Sequence, residues 1–277
     1  MAKQSQPKDK PTTHDYHRFI DEAGDMTFFG KGKVDLLGTD GVSNVFMLGM
    51  VHIKQPLPDV RRLIQQFVYE ICADPLFNEI PSIKKRMDKD GMFLHAKDDP
   101  PELRSKFFEF LRGKIDYSLQ VVVGRKKTTR FVNKHNSQEK EFYADLLSHL
   151  LKDKANYDKL VLNIADRASV TRIQNLESAL LKAHECHQKK NKGEYRAKIA
   201  FNVQPYNQEL LLAVVDYGLW SVQRVFEKGE TRFYESIKDK VPLVLDLYDV
   251  DHYAKWGNYY TPKHPLTKDN HIKEVET

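Results

Sequence analysis

The chain has 277 residues, with 44 Lys and Arg against 39 Asp and Glu, a formal net charge of +5. Hydrophobic residues make up 40% and charged residues 30%, an ordinary globular balance in a chain long enough for one large domain. The longest apolar run, LLLAVV, is too short to span a bilayer. The first residues lack a secretory signal's apolar core, and two cysteines, Cys72 and Cys186, imply no disulfide framework. These features point to the cytoplasm and away from membranes, and the mild basic surplus permits a polyanionic partner without requiring one.

Residues 1–14 read as a disordered polar tail, 15–265 as a single domain and 266–277 as a C-terminal tail. YHRFID is a strand, with turn chemistry in EAGDM. TFF is a short intervening strand, and SNVFMLGMVHI (43–53) a strong one. A helix runs from Pro58 through Cys72, and the charged stretch 78–91 reads as an exposed irregular connection. MFLHA is a short strand, PPELRSKFFEFLRG a helix with Pro near its start, and DYSLQVVVGRK a strand. Then come a helix (SQEKEFYADLLSHLLKD), a strand (YDKLVLNIAD), a helix (169–188), a strand (EYRAKIAFNVQP) and a long helix over 208–227. VPLVLDLYDV reads as a strand or a turn-rich segment, and the end as loop and tail. Early antiparallel strands followed by alternating helix and strand predict one mixed α/β domain with helices covering a central sheet.

The long helix is apolar on most sides yet contains Asp216, a costly residue there unless something offsets its desolvation. Steps of seven put Glu209, Asp216 and Gln223 on one stripe, which should face a metal ion, a buried cation or backbone N–H groups. Asp21 and Asp166 each close an apolar strand, where α/β proteins often place functional groups. Glu22 faces away from Asp21 if the strand continues. Three separated carboxylates suit Mg²⁺ or Mn²⁺, which favour oxygen ligands and share sites with phosphate. A strand-end Asp also serves as a turn or cap, and Asp216 reads equally as half of a buried salt bridge.

The motifs FIDEAGD, FLHAKD, LNIADRAS, LLLAVVDYGLWSVQRVFEKG and WGNYYTPKHPLT, in that order, resemble the domain of unknown function 3800 family over about residues 16 to 265. That family opens on a strand followed by Asp-Glu-Ser-Gly-Asp and ends on a helix containing Asp-Tyr and Trp. The resemblance implies a single ribonuclease H-like domain: a mixed central sheet with antiparallel first strands, helices on both faces, and acids on the first strand, the fourth strand and a late helix. Asp21, Asp166 and Asp216 match those places. It implies a nuclease that binds Mg²⁺ or Mn²⁺ through them. Two positions depart from the pattern: Ala23 stands where the family has Ser, and Ala213 where many members have Gln.

Glu22 is a further acidic candidate, and His95 a proton shuttle, a phosphate-orienting group or a structural histidine. Arg125, Lys126, Lys127 and Arg130, with Phe131 for base stacking, and Lys189 and Lys190 in a second loop, form basic stretches fit for nucleic acid; each also reads as a solvated loop. HECHQ reads as helix surface rather than a zinc site. The leading expectation is a nuclease acting on RNA or DNA. Against it stand a non-catalytic nucleic-acid- or protein-binding module of a bacterial or phage-defence system, and a phosphoryl hydrolase of free nucleotides. Protein partners and oligomeric state are not legible.

Overall fold

The computed structural model describes residues 15–89, 91–152, 159–166, 185 and 198–272. Seven strands form one sheet: β1 (Asp15–Gly24), β2 (Val45–Ile53), β3 (Tyr117–Arg125), β4 (Lys159–Ala165), β5 (Lys198–Gln204), β6 (Leu243–Asp246) and β7 (Tyr259–Tyr260). Their order is β5-β4-β1-β2-β3-β6-β7. β1 pairs antiparallel with β2, and β2 with β3, while β4 joins β1, β5 joins β4 and β6 joins β3 in parallel. This is the mixed sheet with antiparallel first strands that was expected, with acids on the first strand, just past the fourth, and on a late helix.

Helices lie on both faces, so β2 and β4 are apolar almost throughout. α1 (Leu57–Ala73), α4 (Pro101–Lys114), α7 (Leu212–Lys228) and α8 (Arg232–Ile237) cover one face, packing Val60, Phe107 and Val215 against Phe19, Met47 and Val121. α5 (Thr128–His135) and α6 (Glu139–Leu151) cover the other, where Phe131, Phe142 and Leu146 meet Ile20, Phe46 and Val122. Because β1, β3, β4, β5 and β6 run the same way, their C-terminal ends share one edge of the sheet.

Several local expectations give way to tertiary contacts. The stretch expected to be irregular around 78–91 carries the end of α2 (Pro75–Asn78) and α3 (Pro81–Lys89), whose Ile83 and Arg86 are buried. MFLHA is not a strand, and TFF contributes only an isolated bridge from Phe29 to Asp35. The long helix begins at Leu212 rather than 208. Near the end of the chain, β7 pairs with β6, Leu266 is buried, and the Ile272 N–H donates to Phe226 O at 2.9 Å. The helix expected over 169–188 falls almost wholly outside the described residues, as do Lys189, Lys190, His184 and His187. No helix among the described residues is long and apolar enough to cross a membrane.

Candidate active site

Asp21 sits in β1 opposite Gly49 of β2, on the face that carries α7. A Cβ on Gly49 would lie 2.6 Å from Leu219 Cγ. The missing side chain is therefore what lets α7 lie directly on the sheet beside Asp21. Asp21 is only 1% exposed. Its Oδ2 accepts from the Tyr206 hydroxyl at 2.6 Å, and its Oδ1 from the Glu22 N–H at 2.7 Å. Tyr206, just past β5, also meets the His95 ring edge-on at 5.6 Å.

Asp216, one turn before Leu219, accepts the Ala96 N–H at 2.7 Å through Oδ2. The next residue, Tyr217, donates its hydroxyl to Asp99, which also accepts from the His95 N–H at 2.9 Å and pairs with Arg86 at 2.5 Å. These carboxylates take the backbone donors that a neighbouring strand would have taken, and that is why MFLHA is a fastened loop. Burial pushes the Asp99 carboxyl above its usual range despite Arg86 and Tyr217. His95 Nδ1 lies 3.0 Å from Asp98 Oδ2.

The loop, the end of β1 and α7 enclose a cleft of about 600 Å³. Glu22, His95 and Asp216 line it together with Asp25, Lys97 and Lys228. Asp216, Trp220, Gln223 and Glu227 recur at steps of four, three and four, so one stripe of α7 forms a wall. Two of the acids serve the wall itself. Glu227 accepts from Asn44 and Val45 N–H at 2.8 and 3.0 Å, tying α7 to the start of β2. Asp25 is pushed up by burial, but Ser43 hydrogen bonds and the Lys126 ammonium overcome this and hold it at about 2. Glu209 does not extend the stripe. It precedes α7, pairs with Arg61 at 2.6 Å and accepts the Leu211 N–H.

The sheet pleat sorts the remaining acids. Ile20 lies opposite Ile164, so continuing both strands by two residues brings Glu22 level with Asp166 on the α6 face, while Asp21 points toward α7. Asp166 is exposed, and its N–H extends the ladder to Gln204 O at 2.9 Å. The structure thus groups Glu22, His95 and Asp216 around the cleft, keeps Asp21 beside them through Tyr206, and sets Asp166 at the adjoining strand end. Their oxygen chemistry fits a hard divalent ion. Among the described residues, however, no three His, Cys, Asp or Glu side chains are arranged ready to hold one.

The first basic stretch turns inward. Arg125 grips Asp246 at 2.7 Å and Asp249 at 2.9 Å, and the fully buried Lys126 side chain reaches Asp25 at 3.1 Å. Arg130 lies 4.6 Å over the Tyr248 ring, and Lys127 is exposed just before α5. Phe131 is buried and stacked on Phe28 at 3.8 Å, so it offers no ring to a base. Arg224 pairs with Glu230 at 2.5 Å. Tyr206, Asp99 and Tyr217 were missed in the sequence. For Asp99 the one local signal was a doubled Asp before the Pro-started α4.

No family model matches the chain, and no curated protein matches it. Among solved structures, one described as "Structure of the PCNA:RNase HII complex from Archaeoglobus fulgidus" aligns with 81% of this chain and 77% of that chain, at 13% identity and a TM-score of 0.34.

Proposed function

We propose that this chain is a metal-dependent nuclease of the domain of unknown function 3800 family, hydrolysing phosphodiester bonds in RNA or DNA. The observation that carries the reading is the cleft in which Glu22, His95 and Asp216 meet at the end of β1, beside Asp21. Asp21, Asp166 and Asp216, with Glu22, would hold Mg²⁺ or Mn²⁺. When bound, such an ion activates a water and stabilises the leaving oxygen. Lys97 and Lys228, exposed in the same walls, draw the phosphate in. The fastened loop fixes the His95 ring near the reacting group, and Tyr206 and the Ala96 N–H orient one oxygen each of Asp21 and Asp216.

Labelled single-stranded and duplex RNA and DNA, incubated with EDTA, Mg²⁺ or Mn²⁺, test this. Cleavage should require the metal. Asp21→Asn and Asp216→Asn should each lose more than the roughly 10–100-fold typical of outer partners of a metal site. The reading is refuted by absence of cleavage with every metal, or by an Asp216→Asn protein that cuts as the wild type does.

A further inference from the structure

Ten large hydrophobic side chains are exposed among the described residues, and five of them, Val34, Val132, Val250, Tyr253 and Trp256, fall on three adjoining segments. The 25–37 loop packs on α5 through the Phe28–Phe131 stack and the Thr128 hydroxyl's 2.5 Å bond to Asp35. α5 in turn lays Arg130 and Lys134 over Tyr248, 4.6 and 5.0 Å from its ring, at the start of the loop after β6. Half of the exposed apolar side chains among the described residues thus fall on these three adjoining segments, whereas single scattered ones would need no explanation. Two of the five are aromatic. Trp256 is 71% exposed, held edge-on to Tyr259 at 5.3 Å, and Tyr253 is anchored by its hydroxyl to Leu247 O at 2.5 Å.

Trp256 also has φ +63°, a left-handed backbone that a bulky side chain adopts only at a cost. Packing does not account for retaining it, since most of the ring faces solvent. The surroundings are cationic: Lys31, Lys33, Lys127 and Arg130 stand on these segments against Asp35 and Asp251, while Asp25 and Asp249 are paired with Lys126 and Arg125. Charge complementarity therefore favours a polyanion whose flat apolar groups can stack. The position agrees. β1 and β6 end at the same sheet edge, three strand spacings apart, about 14 Å.

We propose that Trp256 and Tyr253 form a stacking platform for unpaired bases of a single-stranded nucleic acid, whose phosphates are met by Lys31, Lys33, Lys127 and Arg130. The inference rests on the nucleic-acid reading of the neighbouring cleft and adds a preference for single strands.

The test is equilibrium binding of labelled 15-mer oligo(dT) and oligo(rU), and of a duplex, to the full chain in EDTA. The single strands should quench tryptophan emission and bind more tightly than the duplex. Trp256→Ala and Tyr253→Ala should each weaken binding by roughly 5- to 150-fold, the range for loss of one stacked base. Trp256→Phe should stay near wild type while Trp256→Leu, apolar but unable to stack, should not, with circular dichroism confirming that all are folded. Equal binding by wild type and Trp256→Leu overturns the proposal. So does sedimentation showing a wild-type dimer that Trp256→Ala dissociates while oligonucleotide affinity is unchanged, which would make the patch a contact between copies. Because no metal is present, the outcome is separable from the nuclease reading: cleavage with unaltered Trp256→Ala binding removes the platform alone, and stacking without cleavage removes the nuclease alone.

Discussion

Gly49→Ala places one methyl group where α7 meets the sheet. The new Cβ would stand 2.6 Å from Leu219 Cγ and 2.8 Å from its Cδ2, well inside contact distance, and Leu219 is itself buried. Overpacking of this kind costs about 1–3 kcal/mol. Replacing a strand glycine recovers about 0.4–1 kcal/mol through the unfolded chain, so the net loss should be about 0–2.6 kcal/mol. Leu219→Ala alone should cost about 2–5 kcal/mol by leaving a cavity. In the double variant the methyl occupies part of that cavity and no longer collides, so the combined loss should fall short of the sum by about 1–3 kcal/mol. Urea unfolding followed by tryptophan fluorescence measures all three. Additivity within about 0.5 kcal/mol would refute the claim that this contact sets the height of α7 above Asp21. If the claim holds, Gly49→Ala also lowers the cleavage proposed above, since lifting α7 moves Asp216 away from Glu22 and His95, and Leu219→Ala restores part of it.

Tyr206→Phe removes the hydroxyl that donates to a nearly inaccessible carboxylate; a thermal melt should show a loss of about 1.5–3 kcal/mol, and an unchanged melt would mean the bond has no energetic role. Arg86→Met leaves Asp99 buried beside Tyr217 without its guanidinium, and chemical denaturation should register about 3–5 kcal/mol; Asp99→Asn in the Arg86→Met background should recover part of this. Asp25 titrates at about 2 when folded against 3.8 for a free aspartate, so its contribution is full above about pH 4 and disappears as pH falls from there toward 2. The shift corresponds to about 2.4 kcal/mol, reduced to about 1–2 by solvent screening of a carboxyl about one-third exposed. Denaturant titrations from pH 5 to 2 should therefore show a shallower acid loss in Asp25→Asn than in wild type, and parallel curves would remove the assignment.

What could be read locally was what depends on local pattern. The apolar runs 45–53, 117–125 and 159–165 are strands because both faces of the sheet are covered, and α4 starts where its two prolines predict. Asp21 and Asp216 stood out for the same reason, as acids inside apolar segments. Side chains that serve distant segments were illegible. Charge along α3 suggested solvent, but Arg86 turns inward to Asp99, thirteen residues on. Arg125 and Lys126 read as a basic loop, but Asp246, Asp249 and Asp25 draw them in from segments about 100 or more residues away in sequence. MFLHA had a strand's composition, yet Asp99 and Asp216 claimed its amides first.

Buried acids serve both to join elements of the fold and to shape the cleft. Asp99, Asp246 and Glu209 meet Arg86, Arg125 and Arg61, and each pair joins elements that would otherwise separate: α3 to the start of α4, β3 to β6, and α1 to the entry of α7. Burial still leaves Asp246 raised to about 6, a sign that such charges are tolerated for the cross-link they make. Asp21 and Asp216 accept from a phenol and a main-chain amide, donors that aim one oxygen of each. Carboxylates gathered at one strand end repel one another, and in water-poor surroundings that repulsion strengthens. The fold fixes the direction of one oxygen on each of Asp21 and Asp216 and keeps Glu22 at the same cleft, which is the arrangement the divalent ion proposed above would use to offset that repulsion.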